Sequence, residues 1–100
     1  YTTLFRSKHV VMWRLHQNNT ENRKAIKDML NKLPGLIPDL KSLEVGENFN
    51  SGPFAFDLAL ITTHADKAGL EKYQKHPEHV MVAKRITELA KDRVVVDFEL

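Results

Sequence analysis

Residues 73 to 79 read Tyr-Gln-Lys-His-Pro-Glu-His, and this segment predicts a corner between two helices. Pro77 has no amide hydrogen, and it disfavours helical backbone at the residue before it. One helix is therefore expected to end near Lys75 or His76. A second helix is expected to begin at Pro77, because the first helical position needs no amide partner.

His79 falls in the first turn of that second helix, which makes it a candidate base. The partial positive charge of a helix N-terminus disfavours a second positive charge on the imidazole ring. A neutral imidazole can accept or relay a proton near neutral pH. The alternative interpretation is a purely structural corner, in which His76 caps the helix and Tyr73 packs into the core.

Hydrophobic periodicity on either side of the corner predicts the remaining elements. Alternating apolar residues predict strands, and apolar residues three or four positions apart predict helices. The order is β-α-β-β-α-α-β, and the two helices at the corner count as one crossover. This order predicts an α+β protomer of the split β-α-β, ferredoxin-like type. The expected strands are 9–16, 41–49, 54–63 and 94–100, and the expected helices are 20–33, a short one capped by Asp66, and one from Glu78 that ends at Asp92-Arg93.

The first strand carries large apolar residues on both faces, which is typical of a strand that is covered on both sides. His9, Val11, Trp13 and Leu15 share the face expected to lie under the helices. Nothing in this fold covers the other face, and an apolar open sheet face indicates a partner surface. We therefore expect a homodimer in which two sheets pack face to face. The residues predicted on that open face are Val10, Met12, Ala59, Ile61 and Val95.

Composition narrows the possible functions. One hundred residues correspond to one small domain, and the absence of cysteine excludes disulfides, thiol nucleophiles and thiolate metal sites. The net charge is +2, but basic residues are interleaved with acidic ones, so we expect no nucleic-acid partner. There is no apolar run of membrane-spanning length and no secretory signal, so we expect no membrane association and a cytoplasmic location.

No cofactor or metal is expected from the motifs. The sequence has no phosphate loop, no dinucleotide fingerprint and no nucleophile elbow. His76 and His79 are three residues apart, a spacing that can hold a metal ion on a continuous helix. Pro77 breaks the helix that would align them, and no carboxylate-rich set accompanies them.

The first seven residues, Tyr1 to Ser7, are predicted to be a non-native leader, and the domain is predicted to span residues 8–100. The heptapeptide Tyr-Thr-Thr-Leu-Phe-Arg-Ser resembles one reading frame through a common sequencing adapter. Segments of this kind are excluded from reasoning about the fold. The alternative is a genuine extension of the first strand, since Leu4 and Phe5 are apolar.

The candidate catalytic residues are His79, Tyr73 and His9. His9 starts the first strand on the face assigned to the helices, and the other two flank the corner over that face. A neutral imidazole beside a phenol can take a proton from the carbon next to a carbonyl group and polarise the carbonyl oxygen. The alternative is a buried polar network that only holds the corner in place. The predicted substrate pocket consists of Trp13, Phe56, Leu58 and Ile86, unless these residues are simply core.

Five segments together closely resemble the stress-responsive A/B barrel, or Dabb, family, and the resemblance extends over residues 8–100. Membership implies a dimeric α+β barrel built from two ferredoxin-like protomers, but it does not fix a reaction. The segments are Lys-His-Val-Val at 8–11, Leu-Glu-Val-Gly at 43–46, Phe-Asp-Leu at 56–58, Tyr-Gln-Lys-His-Pro-Glu-His at 73–79 and Asp-Arg-Val-Val-Val-Asp-Phe at 92–98.

One type of member, olivetolic acid cyclase, implies a possible site for this chain. That protein is a cofactor-free polyketide cyclase, which performs an aldol condensation in a pocket between sheet and helices. Its functional positions correspond to His9, Leu58, Tyr73 and His79, and Leu58 stands where that enzyme has a histidine. This departure argues against the same substrate geometry, but it leaves the pair formed by His79 and Tyr73 intact.

The sequence leaves open whether the chain is an enzyme. The main hypothesis is a dimeric barrel that binds or converts a small hydrophobic carbonyl compound by cofactor-free acid-base chemistry, as a cyclase or isomerase does. One alternative is a non-enzymatic, stress-associated structural barrel. Another is a cofactor-free monooxygenase, by analogy of fold. An open cavity that His79 and Tyr73 face favours the first, and a filled core in which both are paired favours the second.

Overall fold

A computed structural model describes residues 6–100 of the chain, and it confirms the ferredoxin-like α+β protomer. Four strands form one antiparallel sheet in the order β2-β3-β1-β4. The helices cover one face of this sheet. The elements are β1 (Ser7–Leu15), α1 (Thr20–Asn31), β2 (Ser42–Glu47), β3 (Leu58–His64), α2 (Lys67–Lys75), α3 (Pro77–Leu89) and β4 (Ala90–Glu99).

The predicted leader of residues 1–7 remains a prediction, and Tyr1 to Phe5 lie outside the described residues. Ser7 is the first residue of β1 and is buried. It pairs with His64 of β3 and with Glu99 of β4. The strand therefore begins two residues before the expected start at His9, and the boundary of the predicted leader falls inside it.

The core lies between β1, at the centre of the sheet, and the helices. Burial alternates along β1, since every second residue from Ser7 to Leu15 faces the helices. Ile26 and Leu30 bury one side of α1 against this face, and Ile86 does the same for α3. The buried apolar residues are Val11, Trp13, Leu15, Ile26, Leu30, Leu33, Ile37, Leu40, Leu58, Leu60, Leu70, Tyr73 and Ile86.

The corner between α2 and α3 forms at Pro77, as the sequence predicted. Asp66 caps α2, and its carboxylate accepts a hydrogen bond of 2.7 Å from the amide of Gly69. The helix ends at Lys75, and Pro77 is the first residue of α3. At α1 the cap is Asn19, whose side chain accepts from the amide of Asn22 at 2.8 Å.

The largest differences from the predicted strand boundaries are at the starts of β3 and β4. β3 begins at Leu58 rather than at residue 54, because Asp57 is held outside the ladder. Its carboxylate accepts from the amide of Leu15 at 2.8 Å, and its own amide donates to the carbonyl of Trp13 at 2.8 Å. β4 begins at Ala90 rather than Val94, directly after the last residue of α3.

The sheet face away from the helices is apolar, but one residue that was predicted to lie on it, Val95, is on the other face. Val95 was expected there, but it lies opposite Val11, on the side of the helices. Val96 lies opposite Val10, and residues directly opposite in an antiparallel pair share a face. The apolar residues of this open face are Val10, Met12, Ala59, Ile61, Val94, Val96 and Phe98.

Gly35 is required by the turn that follows α1. Leu33, Pro34, Gly35 and Leu36 form a turn closed by a 3.0 Å hydrogen bond from the amide of Leu36 to the carbonyl of Leu33. Proline at the second position and a φ of 87° at Gly35 define a type II turn.

Replacing Gly35 with alanine is expected to destabilise the protein by about 1–2 kcal/mol, because a side chain at positive φ is strained. Urea unfolding measures this change. Gly46→Ala in β2 is the control, since Gly46 does not have a positive φ and a Cβ there would contact nothing within 4 Å. Equal midpoints for the two variants would contradict the assignment.

Candidate functional site

A cavity of about 60 Å³ lies between the sheet and the helices. By the same measure a buried water needs roughly 10–15 Å³, so the space accommodates a few small groups. Its wall is mostly apolar, but it includes the polar cluster of His9, Tyr73 and His79 and the side chains of Thr87 and Arg93. The residues that line it are His9, Val11, Trp13, Leu30, Leu60, Tyr73, His79, Val82, Ala83, Ile86, Thr87 and Arg93.

The helix corner orients the ring of His79. In a continuous helix the carbonyl of Gln74 would accept from the amide of Glu78. Here the Glu78 amide instead donates to Nδ1 of His76 at 3.1 Å. Nδ1 of His79 lies 3.0 Å from the Gln74 carbonyl oxygen. Because a carbonyl oxygen only accepts, Nδ1 carries the proton, and Nε2 of the neutral ring is left with its lone pair.

Burial is the main reason that His79 is a neutral ring near pH 7. Desolvation lowers the pKa of His79 below its ordinary value of 6.5. The positive charge of Arg93 and the rings of His9 and His64 lower this pKa further, while the hydrogen bond to Gln74 opposes the shift. The direction agrees with the sequence prediction, but that prediction gave the helix N-terminus as the cause.

His9 is oriented from the opposite wall by a carboxylate that the sequence analysis missed. Nδ1 of the buried His9 ring lies 2.5 Å from Oδ1 of Asp97. The two residues are 88 positions apart, and they meet because they are directly opposite in the pairing of β1 with β4. A carboxylate oxygen accepts, so Nδ1 of His9 donates and its Nε2 is the nitrogen left over.

Tyr73 stands between the histidines and carries an unused hydroxyl group. It is completely buried, and its ring centroid lies 4.5 Å from that of His79 and 6.5 Å from that of His9. Within residues 6–100 the hydroxyl has no hydrogen-bond partner. Burial raises the pKa of Tyr73 to about 12, so the phenol keeps its proton and can donate it in a hydrogen bond.

A third histidine, His64, lies beside Tyr73 and was not among the predicted residues. Its ring centroid is 4.7 Å from that of Tyr73. Nδ1 donates to the carbonyl of Asp39 at 2.8 Å, and Nε2 lies 2.8 Å from Oγ1 of Thr62. Burial lowers its pKa, while the Asp39 carbonyl opposes the shift. Both ring nitrogens are engaged, so His64 supports the Tyr73 ring without a free group for chemistry.

The four residues of the predicted pocket separate into two places. Trp13 and Ile86 line the cavity. Phe56 and Leu58 do not, since they border a different hollow beside the open sheet face. Phe56 precedes β3, and its ring lies 4.1 Å from the guanidinium of Arg14. Leu58 is buried in the core, and Leu60 is the β3 residue that reaches the cavity.

The chain from Arg6 to Leu100 contains no group of three or more His, Cys, Asp or Glu side chains placed to hold a metal ion. His76 is half-buried and caps α3, while His79 lines the cavity. No helix in this part of the chain is long and apolar enough to cross a membrane.

Comparisons with known proteins agree with this architecture. A family model described as the stress responsive A/B barrel domain matches residues 8–100. A dimeric ferredoxin-like protein of unknown function from Thermobifida fusca aligns with a TM-score of 0.85 and 28% identity, over 100% of this chain and 95% of that one. A dimeric protein of unknown function and ferredoxin-like fold from Bacteroides fragilis aligns with a TM-score of 0.81 and 29% identity. The alignment covers 95% of this chain and 96% of that one.

A further solved structure, hydroxynitrile lyase from Passiflora edulis, aligns with a TM-score of 0.83 over 95% of this chain and 93% of that one. The identity is 17%, so this likeness shows the fold alone. The search of curated proteins gives no match.

The stability of the protein is expected to fall as the pH drops from about 6.5 to about 5. His79 and His64 have folded pKa values below 6.5, so the unfolded chain binds protons first as the pH falls, which favours unfolding. Urea unfolding across this range measures the effect. His79→Asn is expected to reduce the slope, and a stability that stays constant or increases toward pH 5 would contradict it.

Proposed function

The chain belongs to the stress responsive A/B barrel domain family, and on this basis we propose that it binds a small hydrophobic carbonyl compound and moves protons on it. We propose that it does so as a homodimer and by acid-base chemistry of its own side chains. One observation carries the proposal. Within residues 6–100, three polar groups with unused hydrogen-bonding capacity lie at a mostly apolar cavity: Nε2 of His79, Nε2 of His9 and the hydroxyl of Tyr73.

The buried hydroxyl of Tyr73 makes a purely structural role energetically costly. Burying a hydroxyl without a partner costs roughly 1–3 kcal/mol, so a purely structural cluster would be expected to satisfy it. His64 shows that the same cluster can satisfy its groups, because both of its nitrogens are paired. The unused groups are therefore those nearest the cavity, which is the arrangement expected of a binding site.

The proposed chemistry is proton abstraction next to a carbonyl group. Nε2 of His79 takes the proton, the carbon-hydrogen bond breaks, and its electron pair forms the double bond of an enolate as the carbonyl π pair moves to oxygen. The Tyr73 hydroxyl donates a hydrogen bond to that oxygen, where negative charge develops. His9, held by Asp97, positions the ligand from the opposite wall.

Two outcomes of this enolate are compatible with the site. Return of the proton from His79 to a different carbon of a conjugated enolate gives an isomerisation. Attack of the enolate carbon on a second carbonyl of the same molecule, whose oxygen then takes the proton from His79, gives an aldol cyclisation. Ligand pockets usually enclose roughly 300–1,000 Å³, so a cavity of about 60 Å³ holds only the reacting end of a ligand. The small cavity favours isomerisation or a compact substrate.

The competing proposal is a structural barrel without catalysis, and the pairing of His64 supports it. In that case the polar cluster at α2 only fixes the helix corner, and the small cavity is a packing defect. A cofactor-free monooxygenase rests on analogy of fold, and no contact in residues 6–100 favours it over the acid-base proposal.

The proposed homodimer is supported by the open sheet face. Met12, Val96 and Phe98 are exposed there, although they are large and apolar. Two of the similar solved structures are described as dimeric. Packing two such faces together removes apolar area from water on both copies.

Light scattering after gel filtration is expected to give twice the chain mass of 11.5 kDa. Val96→Glu, at the open face, is expected to give a folded monomer, because a charge would be buried between the sheets. Val80→Glu is the matched control and is expected to remain a dimer, since Val80 is exposed and belongs to α3, not to the sheet. A monomeric wild-type protein would refute the dimer.

Uptake of deuterium from D₂O by methyl ketones, followed by NMR, is the direct test of the proposed chemistry. Acetophenone and 2-octanone are suitable probes. His79→Asn is expected to lower the protein-dependent rate by about 100-fold, the usual contribution of a positioned base. Tyr73→Phe is expected to lower it less and to keep the fold, because it removes a single hydroxyl group.

His76→Asn is the matched control, since it changes a histidine of the same corner that does not line the cavity. Asparagine also caps helices well, so the fold is expected to persist. Circular dichroism on the same samples separates loss of activity from loss of structure. Exchange that is absent in wild type, or unchanged in folded His79→Asn, would refute the acid-base proposal and favour the structural barrel.

A further inference from the structure

A second hollow adjoins the cavity and shares part of its wall. It has a volume of about 160 Å³ and is lined by Trp13, Thr87, Ala90, Lys91, Asp92 and Arg93. Trp13, Thr87 and Arg93 also line the inner cavity. These three residues therefore separate an inner apolar space from an outer, more exposed one, and a ligand that extends beyond the cavity would pass them.

Arg93 is the charged group at this boundary. Its position opposite Trp13 in the pairing of β4 with β1 places it on the helix side of the sheet. No ion pair or side-chain hydrogen bond engages its guanidinium within residues 6–100, whereas the neighbouring Asp92 lies 3.7 Å from Arg14. The outer hollow has two further charged lining residues: Lys91, which adds a second positive charge, and Asp92, whose carboxylate is paired with Arg14.

The positive charge of Arg93 also acts on His79, which is the proton acceptor of the proposed site. It is among the causes that lower the pKa of His79. A negative group bound to the guanidinium would offset this effect and make His79 a stronger base when the ligand is present. An exposed arginine is usually just a solvated charge. Arg93, however, lines both hollows and acts on His79.

We infer that the ligand carries a carboxylate as well as the reactive carbonyl, and that Arg93 binds this carboxylate at the boundary between the two hollows. A guanidinium matches a carboxylate with two parallel hydrogen bonds, which gives both affinity and orientation. The substrate class is a short oxo acid, whose carbonyl end enters the inner cavity while its acid group stays at the outer hollow. This inference rests on the proposed function and specifies its substrate.

Matched probes test the inference: levulinate, which has a ketone and a carboxylate, and its methyl ester, which lacks the negative charge. Trp13 is the only tryptophan of the chain and lines both hollows, so its fluorescence reports binding. Wild type is expected to bind levulinate about tenfold more tightly than the ester, with a preference that decreases as salt is added. Arg93→Gln is expected to abolish the preference without weakening ester binding.

Arg93→Lys is expected to retain part of the preference, because it keeps the charge but not the planar fork. Lys84→Gln is the charge-matched control, since Lys84 is exposed on α3 and lines neither hollow, and it is expected to behave as wild type. NMR titration of His79 gives a second readout. Levulinate is expected to raise the pKa of His79 in wild type and to leave it unchanged in Arg93→Gln.

The possible outcomes distinguish a failure of this inference from a failure of the proposed function. If wild type binds the ester and levulinate equally, or if Arg93→Gln keeps the preference, the role of Arg93 is refuted and the carbonyl site stands. If wild type exchanges protons on neutral ketones but excludes levulinate, the substrate class is refuted. If neither probe binds and no ketone exchanges, the proposed function fails and this inference fails with it.

Discussion

The backbone carbonyl of Gln74 is the group on which the candidate site depends. The break at Pro77 and the use of the Glu78 amide by His76 leave this carbonyl without its ordinary helical donor. His79 occupies the position, and the hydrogen bond fixes both the orientation and the tautomer of its ring. A proline that interrupts a helix thus determines which nitrogen of a histidine five residues after Gln74 can act as a base. The break in the helix and the tautomer of His79 therefore have the same cause, which is Pro77.

The same pattern extends across the cluster and explains how three imidazoles share a small space. Nδ1 of each ring faces an acceptor: the carbonyl of Gln74 for His79, the carbonyl of Asp39 for His64, and the carboxylate of Asp97 for His9. Burial keeps His64 and His79 neutral by lowering their pKa values, so these two rings do not repel each other. In the described part of the chain the hydroxyl of Tyr73 is a buried donor without a partner, and such a donor suits a carbonyl oxygen.

The sequence predicts those parts of the structure that depend on neighbours along the chain. The corner follows from Pro77, and the placement of His9 on the helix side follows from alternation along β1. Contacts across the sheet are harder to predict from the sequence, because they depend on the register of β4. This register places Asp97 opposite His9 and turns Val95 toward the helices. Phe56 was misplaced because Asp57 is held outside β3 by contacts with Trp13 and Leu15. A single sequence shows alternation, but it does not show which strand residue stands opposite which.

The nine residues of α2 have a consequence for the dynamics of the cavity. An isolated helix shorter than about 12–15 residues is marginal in water, so α2 depends on packing of Leu70 and Tyr73 against the sheet. The corner separates it from α3, and no continuous helical ladder transmits order across Pro77. Local unfolding of this segment therefore costs less than global unfolding, and its amide protons exchange with solvent through such openings. Because Tyr73 forms part of the wall, each opening of α2 also exposes the cavity to incoming molecules.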